Sequence, residues 1–272
     1  MTILRLRIPV LILALALALG ACVGSKNRQT SRKTPTPDGP VTEEAQAQIN
    51  LGAALLMQGE YVKALPELLR ARELAPRNAA VENFLGLAYY YGQKEYDLAI
   101  ESYQRALAIN PERTDVHNNL GLVYLEQDKY EQALAEFNFC LKDLVYQNKH
   151  LPQTNIGLTY FKMKEYDQAL AALTRAVEMS PNYANAYKNI GKIYMAKQNY
   201  DAALDYLLNA ARLDDKDPDT FMDLGDLYER LGNPDEAAQA FSQVASLVPN
   251  TPMAMEAQRR ARRAMGFQLG AN

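Results

Sequence analysis

The 272-residue chain contains few of the side chains that usually hold metal ions or act as nucleophiles. It has two histidines, His117 and His150, and two cysteines, Cys22 and Cys140. The histidines stand near the starts of two successive predicted helices, without a cysteine or carboxylate cluster at the spacing of a zinc site. The glycines fall inside predicted helices and form no phosphate-cradling loop. The sequence therefore predicts no metal, no cofactor, no small-molecule substrate and no enzymatic activity.

Broad basic surfaces are also missing. The formal net charge is −3, and the two arginines of the first 21 residues are among the positive groups. A mildly acidic chain is a poor candidate for binding nucleic acid. Hydrophobic residues make up 48% of the sequence, which is enough to bury a core. We therefore expect a folded domain whose partner is a protein.

No acidic residue precedes Asp38, and the chain begins with an apolar run instead. Arg5 and Arg7 come before a run from Ile8 to Ala18, which is the layout of a secretory signal peptide. A membrane-spanning helix needs about 20 apolar residues, and this run is shorter. We predict that residues 1–21 are a signal peptide.

Residues Leu19-Gly20-Ala21-Cys22 resemble the lipobox of bacterial lipoproteins. The resemblance implies cleavage before Cys22, a diacylglycerol on its sulfur and a fatty acid, such as palmitate, on its new amino group. Several acyl chains anchor a protein stably to a membrane. An Asp commonly follows the cysteine of lipoproteins kept in the inner membrane, but Val23, Gly24 and Ser25 follow here. We therefore expect an outer-membrane lipoprotein that faces the periplasm. The alternative is an ordinary signal peptide that contains a cysteine.

Residues 22–42 combine the predicted acylated cysteine with a polar tether. Three prolines, Pro35, Pro37 and Pro40, and few apolar side chains predict an extended linker. Twenty such residues have a root-mean-square span of roughly 25 Å. The tether is either a solvated spacer or touches anionic headgroups through four basic residues. These are Lys26, Arg28, Arg32 and Lys33.

One pattern recurs from Glu43 onward. Its glycines, which are 34, 35, 36, 34 and 34 residues apart, are Gly52, Gly86, Gly121, Gly157, Gly191 and Gly225. Small residues follow at a second fixed position, and aliphatic or aromatic side chains recur at spacings of three, four and seven. The small residues let two helix backbones approach closely, which offsets the low helix propensity of glycine.

This pattern resembles the tetratricopeptide repeat, a helix-turn-helix unit of 34 residues. The resemblance implies an all-α, right-handed superhelical solenoid of six helix pairs over residues 43–252. Residues 253–272 are expected to form a capping helix and a tail. Arg259, Arg260, Arg262 and Arg263 of this helix either face solvent or meet acidic groups of a partner. The recurring tyrosines, such as Tyr61 and Tyr96, are expected in the core.

The resemblance also implies a groove lined by the first helix of each pair. Taking the glycine as the eighth residue of a unit, we predict the following partner-binding residues: Asn83, Leu87, Tyr90, Tyr91, Asn118, Leu122, Leu125, Leu158 and Phe161. The equivalent positions of the last two units are charged: Lys188, Lys192, Asp226, Glu229 and Arg230. Leu87 and Leu122 stand where a clamp for a peptide carboxylate needs basic residues. The alternatives are that another segment covers the stripe, or that the frame is wrong by one residue.

The third unit lacks its terminal proline and is two residues longer than the common period. Leu144-Val145-Tyr146 interrupts it before Asn155-Ile156-Gly157-Leu158. With the lipobox and six units, this interruption resembles the pilotin lipoproteins of type IV pilus machines. The resemblance implies binding of secretin subunits, and help with their outer-membrane localisation and multimerisation, on which twitching motility depends. The alternative is a scaffold lipoprotein of another envelope machine, for barrel assembly or murein hydrolase docking.

Overall fold

A computed structural model describes residues 38–266, which form thirteen α-helices and no strand within that range. The predicted signal peptide, Cys22 and most of the predicted tether lie outside the described residues. The helices are α1 Glu43–Met57, α2 Tyr61–Leu74, α3 Ala79–Gln93, α4 Tyr96–Ile109, α5 Thr114–Glu126, α6 Tyr130–Lys142, α7 His150–Lys162, α8 Tyr166–Met179, α9 Ala184–Ala196, α10 Tyr200–Leu213, α11 Pro218–Leu231, α12 Pro234–Leu247 and α13 Pro252–Ala264. The predicted all-α fold of six helix pairs followed by one more helix is confirmed.

The chain forms two compact units. Unit 1 ends at Tyr146 and contains α1–α6, whereas unit 2 begins at Gln147 and contains α7–α13. Within each unit, the two helices of a pair pack against each other and against the next pair. Each unit buries its own row of aliphatic side chains, such as Leu68 and Leu85 in unit 1, and Leu173 and Ile193 in unit 2.

The recurring glycines bring the two helices of each pair together. A Cβ added to Gly121 would lie 2.5 Å from Cε1 of Phe137, and one added to Gly191 would lie 2.7 Å from Cγ of Leu207. Carbon atoms pack at about 3.5–4.0 Å, so no larger residue fits without movement. The same relation holds at all six glycines, each of which faces a leucine or an aromatic side chain of its partner helix. The predicted role of these glycines is confirmed.

The turn inside each helix pair contains one residue in the left-handed backbone conformation, with a positive φ. In chain order these residues are Gly59, Lys94, Asp128, Lys164, Gln198 and Gly232, with φ between +54° and +76°. This conformation costs a residue with a side chain about 1–2 kcal/mol relative to glycine. In every pair the second helix starts two residues later, at a tyrosine in five of the six pairs. Four of the six turns thus hold strained residues that the sequence pattern did not indicate.

The predicted C-terminal helix is present as α13. Thr251 caps it by accepting a hydrogen bond from the backbone N–H of Ala254 at 3.1 Å, and Pro252 occupies its first position. Its buried residues Ala257 and Ala261 pack in a cluster with Phe241 of α12. The helix therefore covers the apolar face that the sixth pair leaves.

One arginine of the predicted basic cluster is internal. The Arg260 guanidinium forms ion pairs with Asp226 and Glu229 of α11, each at 2.5 Å, and lies 4.3 Å from the ring centroid of Phe241. Its side chain is 18% exposed. Neither sequence-based alternative, solvent or an external partner, describes this residue. Arg259 pairs locally with Glu256, and Arg262 and Arg263 are exposed.

The segment between α6 and α7 corresponds to the interruption that the sequence shows in the third unit. Asp143 fixes its start, since its carboxylate accepts hydrogen bonds from the Thr114 hydroxyl at 2.6 Å and from the Val145 N–H at 2.9 Å. Leu144 and Val145 are 92% and 85% exposed. The interruption therefore coincides with the boundary between the two compact units.

Candidate partner-binding surface

The predicted groove residues are divided between the two units. Asn83, Leu87, Tyr90 and Tyr91 lie on α3, and Asn118, Leu122 and Leu125 lie on α5, all in unit 1. Leu158 and Phe161 lie on α7 in unit 2. Asn83, Leu87 and Leu125 are buried, Tyr91 is 43% exposed, and the other five are half-buried. Their role in partner binding stays a prediction.

Asn83 is part of a polar network inside unit 1. Its amide nitrogen donates to Asp115 Oδ2 at 3.3 Å, and its amide oxygen accepts from Asn119 Nδ2 at 3.0 Å. The Asp115 carboxylate also receives two hydrogen bonds from Arg113, at 2.8 and 2.6 Å. This network holds α3 and α5 in register, so Asn83 has a structural role beside its predicted one.

The largest group of aromatic contacts in unit 1 is a tyrosine cluster made of Tyr61, Tyr90, Tyr91 and Tyr96. The ring of Tyr91 stacks on Tyr61 with centroids 5.4 Å apart and meets Tyr90 edge-on at 4.5 Å. Tyr90 and Tyr96 are 6.0 Å apart. Such pairs add about 0.5–1.5 kcal/mol each beyond the area they bury. The cluster is therefore a preformed aromatic surface.

Helix ends position the cluster. Tyr90 and Tyr91 occupy the last turns of α3, whereas Tyr61 and Tyr96 are the first residues of α2 and α4. Gly92 allows the end of α3 to approach α2, since an added Cβ would lie 2.9 Å from Cβ of Tyr61. Tyr61, which the sequence predicted in the core, is half-buried and packs against it, and Tyr96 is half-buried. The sequence prediction missed the contacts of these two residues with Tyr90 and Tyr91.

The phenols of Tyr90 and Tyr91 stay neutral at physiological pH, because their pKa values are raised. Burial raises the pKa of Tyr90 well above its ordinary value, with smaller contributions from Tyr91 and from the carboxylate of Glu126. Burial, Tyr61 and Glu126 also raise the pKa of Tyr91. Tyr90 and Tyr91 therefore present apolar ring faces and neutral hydroxyl groups, with Glu126 as the nearby negative charge.

Tyr103 adds a buried hydroxyl beneath this surface. Its ring is fully buried against Gly86, and its hydroxyl has no hydrogen-bond partner among the described residues. Burial raises its pKa, as do Tyr91, Tyr90 and Asp115, which marks these groups as its electrostatic neighbours. An unpaired buried hydroxyl costs about 1–3 kcal/mol. The sequence gives no indication of this group, because Tyr103 occupies a position that is Leu or Phe in the other units.

Unit 2 has smaller aromatic contacts and internally paired charges. Phe161 lies 5.9 Å from Tyr166 between ring centroids, and Tyr194 stacks on Tyr206 at 5.5 Å. The predicted charged end is largely engaged within the unit. Lys188 Nζ pairs with Asp217 at 2.9 Å, and Asp226 and Glu229 pair with Arg260.

Cys140 and His117 form hydrogen bonds with neighbouring groups of unit 1. Cys140 is fully buried, its thiol donates to the carbonyl oxygens of Thr114 and Glu136 at 3.3 Å, and burial raises its pKa to about 12. The His117 ring lies between Glu136 Oε2 at 2.5 Å and the Pro111 carbonyl at 2.9 Å. In residues 38–266, no group of three or more His, Cys, Asp or Glu is arranged to hold a metal ion. The helices of this range include none long and apolar enough to cross a membrane.

Sequence models of the tetratricopeptide repeat match most of the folded region. Models with this description match residues 42–79 and 154–218, residues 112–182, and residues 195–260. A further model, described as a TPR repeat, matches residues 90–128. A comparison with curated proteins gives no significant match.

Several solved structures share the fold. PilW, described as a widely conserved type IV pilus biogenesis factor, is 21% identical with a TM-score of 0.68, and the match covers 79% of this chain and 99% of PilW. PilF of Pseudomonas aeruginosa is 25% identical with a TM-score of 0.63, covering 80% of this chain and 97% of PilF. A tetratricopeptide repeat protein of Parabacteroides merdae is 19% identical with a TM-score of 0.68, covering 80% of this chain and 84% of that protein.

Proposed function

Because the chain belongs to the tetratricopeptide-repeat family, we propose that it binds protein partners, and that its partner is a secretin subunit of the type IV pilus. In this proposal Cys22 carries acyl groups that anchor the protein to the outer membrane, with its folded part in the periplasm. The protein captures secretin subunits and promotes their localisation and multimerisation there. It carries out no chemical reaction.

The observation that carries this proposal is the extent of the likeness to PilW. The match includes 99% of PilW, so the two proteins share the length of the repeat array as well as the fold of one repeat. PilF is matched over 97% of its length. The lipobox-like sequence before Cys22 and the interruption at Leu144-Val145 support the same assignment from the sequence side.

Unit 1 supplies a surface suited to capture. The tyrosine side chains have few rotatable bonds, so they lose little conformational entropy when a partner binds to them. Leu122, a predicted groove residue, is half-buried and lies on α5 together with Glu126. A segment with apolar and basic side chains fits a surface of this composition.

The described nucleophile candidates support binding without turnover. The Cys140 thiol is buried and stays protonated at neutral pH, because its pKa is raised to about 12. A thiol acts as a nucleophile in its deprotonated form. The carboxylate of Glu136 and the carbonyl of Pro111 hold both nitrogens of His117, so the imidazole has no free position for a substrate.

Deletion of the gene tests this proposal. We expect that an immunoblot of unheated outer-membrane extract shows secretin monomers in place of heat-resistant multimers. Wild-type protein and Glu131→Gln, a change at an exposed residue outside the predicted groove, should both restore the multimers, whereas Cys22→Ser should restore them poorly. Unchanged multimers after deletion would favour the scaffold of another envelope machine. Affinity capture with the periplasmic part would then identify that machine.

A further inference from the structure

Charge is distributed unevenly along the chain. Residues 38–146, which include all of the described part of unit 1, carry 17 acidic and 9 basic side chains. Residues 23–37 carry four basic side chains, at Lys26, Arg28, Arg32 and Lys33, and no acidic one. The segment that precedes unit 1 therefore has the opposite charge to the unit it joins.

The structure shows where this segment joins unit 1. Asp38 Oδ1 accepts a hydrogen bond from the backbone N–H of Ala79, the first residue of α3, at 2.6 Å. The Gly39 N–H donates to the Arg77 carbonyl oxygen at 2.7 Å. The preceding residues thus start from the N-terminal end of α3, the helix whose other end carries Tyr90 and Tyr91.

The segment is long enough to reach the tyrosine cluster. The twelve steps along the chain from Ala79 to Tyr91 rise about 18 Å along the axis of α3. In polyproline II conformation, the five steps from Lys33 to Asp38 span about 16 Å, and the six steps from Arg32 span about 19 Å. These basic side chains therefore reach the C-terminal end of α3 when the segment runs along the helix.

The chemistry of the segment matches that of the cluster. Proline-bearing extended segments dock on aromatic-lined surfaces because their conformation is already restricted, and Pro35 and Pro37 provide this feature. Arginine and lysine are attracted to the faces of tyrosine rings. Glu126 lies close enough to raise the pKa of both Tyr90 and Tyr91. Lys94 stands at the end of the same helix, so the attraction depends on Glu126 and on the acidic excess of unit 1 as a whole.

We propose that residues 26–37 dock on the tyrosine cluster of unit 1, with Arg32 and Lys33 against the rings of Tyr90 and Tyr91 and beside Glu126. The chain then carries its own competitor for this surface, which a partner has to displace. A tether of this length gives an effective concentration on the order of 1 mM, so even a weakly binding segment stays docked. The docking does not depend on which protein the partner is, and it is tested without a partner.

The fluorescence of a single introduced tryptophan gives a direct test, because the 272-residue chain contains no tryptophan of its own. Thr34→Trp in the full chain, purified in detergent, places one fluorophore between Lys33 and Pro35. We expect a blue-shifted emission and a Stern–Volmer constant for acrylamide several-fold below that of N-acetyltryptophanamide. Because the Debye length falls to about 3 Å at 1 M salt, the protection should be largely lost there.

Two further variants locate the docked segment. In the Thr34→Trp background, Glu126→Lys or Tyr91→Ser should restore the quenching of a free indole. Glu131→Lys, the same charge change at an exposed residue of α6, should leave the protection unchanged. Circular dichroism confirms that each variant keeps its helices.

Three outcomes would overturn the proposal. The first is an indole as accessible as the free compound at low salt. The second is protection that Glu126→Lys and Tyr91→Ser leave intact, which places the segment elsewhere. The third is protection that appears only with anionic vesicles, which makes the membrane the occupant. Failure of the proposed secretin role is read separately, from the multimers in outer-membrane extract.

Discussion

Gly191→Ala tests whether close packing or backbone freedom explains the recurring glycines. Gly191 lies in α9 and faces Leu207 of α10, and both residues are buried. The added Cβ would lie 2.7 Å from Leu207 Cγ, 2.9 Å from its Cδ2 and 3.3 Å from the Ala203 carbonyl oxygen. Leu207 Cγ is close to its own backbone, so the leucine cannot move aside by a simple rotation of its end.

The two contributions to the free energy of unfolding have opposite signs. Replacing glycine by alanine inside a helix stabilises it by about 1 kcal/mol through helix propensity. Forcing an extra methyl group into a packed core costs about 1–3 kcal/mol. We expect Gly191→Ala to lower the free energy of unfolding by about 1–2 kcal/mol, because the clash involves a carbonyl oxygen as well as a side chain.

A double-mutant cycle with Leu207→Ala separates the two contributions. Leu207→Ala alone should cost about 2–5 kcal/mol, since it leaves a cavity. In its background Cγ and Cδ2 of Leu207 are gone and only the 3.3 Å approach to the Ala203 carbonyl oxygen remains, so Gly191→Ala should now be close to neutral or stabilise by up to about 1 kcal/mol. Urea unfolding followed by circular dichroism measures both effects, with unchanged m values as the check that the compared states are the same.

Gly59→Ala is the matched control. Gly59 has φ of +76°, and no atom lies within 4 Å of its added Cβ. Its substitution should cost about 1–2 kcal/mol for backbone reasons alone, with or without Leu207. A stabilising Gly191→Ala in the wild-type background, or one whose effect is equal in both backgrounds, would refute the packing explanation.

Four further predictions concern turns, charges and titratable groups. Gln198→Gly should raise the free energy of unfolding by up to about 1 kcal/mol, because Gln198 has φ of +58°; a loss in urea melts would contradict this. Arg260→Met should destabilise unit 2, since it leaves Asp226 and Glu229 without their cation, and the loss should shrink at high salt. Burial raises the pKa of Asp223 to about 6, and its Oδ2 has no hydrogen-bond partner among the described residues. The ionised form thus opposes folding, with a cost that grows as pH rises from about 4 and is complete above about pH 6, so Asp223→Asn should stabilise by about 1–3 kcal/mol at pH 7.5, with the gain vanishing at pH 4. Burial lowers the pKa of His117, but Glu136 and the Pro111 carbonyl outweigh it, so the net pKa is raised. The stability that His117 contributes is therefore full below its unfolded pKa and is lost as pH rises through its folded pKa; a His117→Gln variant should lose more stability at pH 5.5 than at pH 8.5.

The sequence predicts the parts of the fold that repeat. Gly191 and Leu207 belong to positions that recur in every unit, so their contact follows from the period alone. The starts of α11 and α13 also follow from local signals, because Pro218 and Pro252 stand at the first helical position. Helix existence, pairing and the glycine contacts were therefore predictable.

The tertiary contacts that the sequence did not reveal depend on side chains that are found together in only one place. Arg260 pairs with α11, a contact between helices that are not neighbours in the chain. Tyr61 and Tyr96 belong to a repeated position, yet the cluster also needs Tyr90, Tyr91 and Gly92, which do not repeat together. Such contacts leave no periodic signal. The positive φ in the turns does recur, but Lys94 and Lys164 are not residue types that indicate it.

The ion pairs of Arg260 limit how this chain can lengthen by duplication of its repeats. Asp226 and Glu229 lie on α11, and Arg260 lies on α13, so the last helix pair and α13 form one matched set. A repeat inserted between α12 and α13 would separate the arginine from both carboxylates and leave three charged groups without their partners. A repeat copied from α9 and α10 would leave the set intact. Growth of the array is therefore tolerated upstream of α11 and penalised downstream of it.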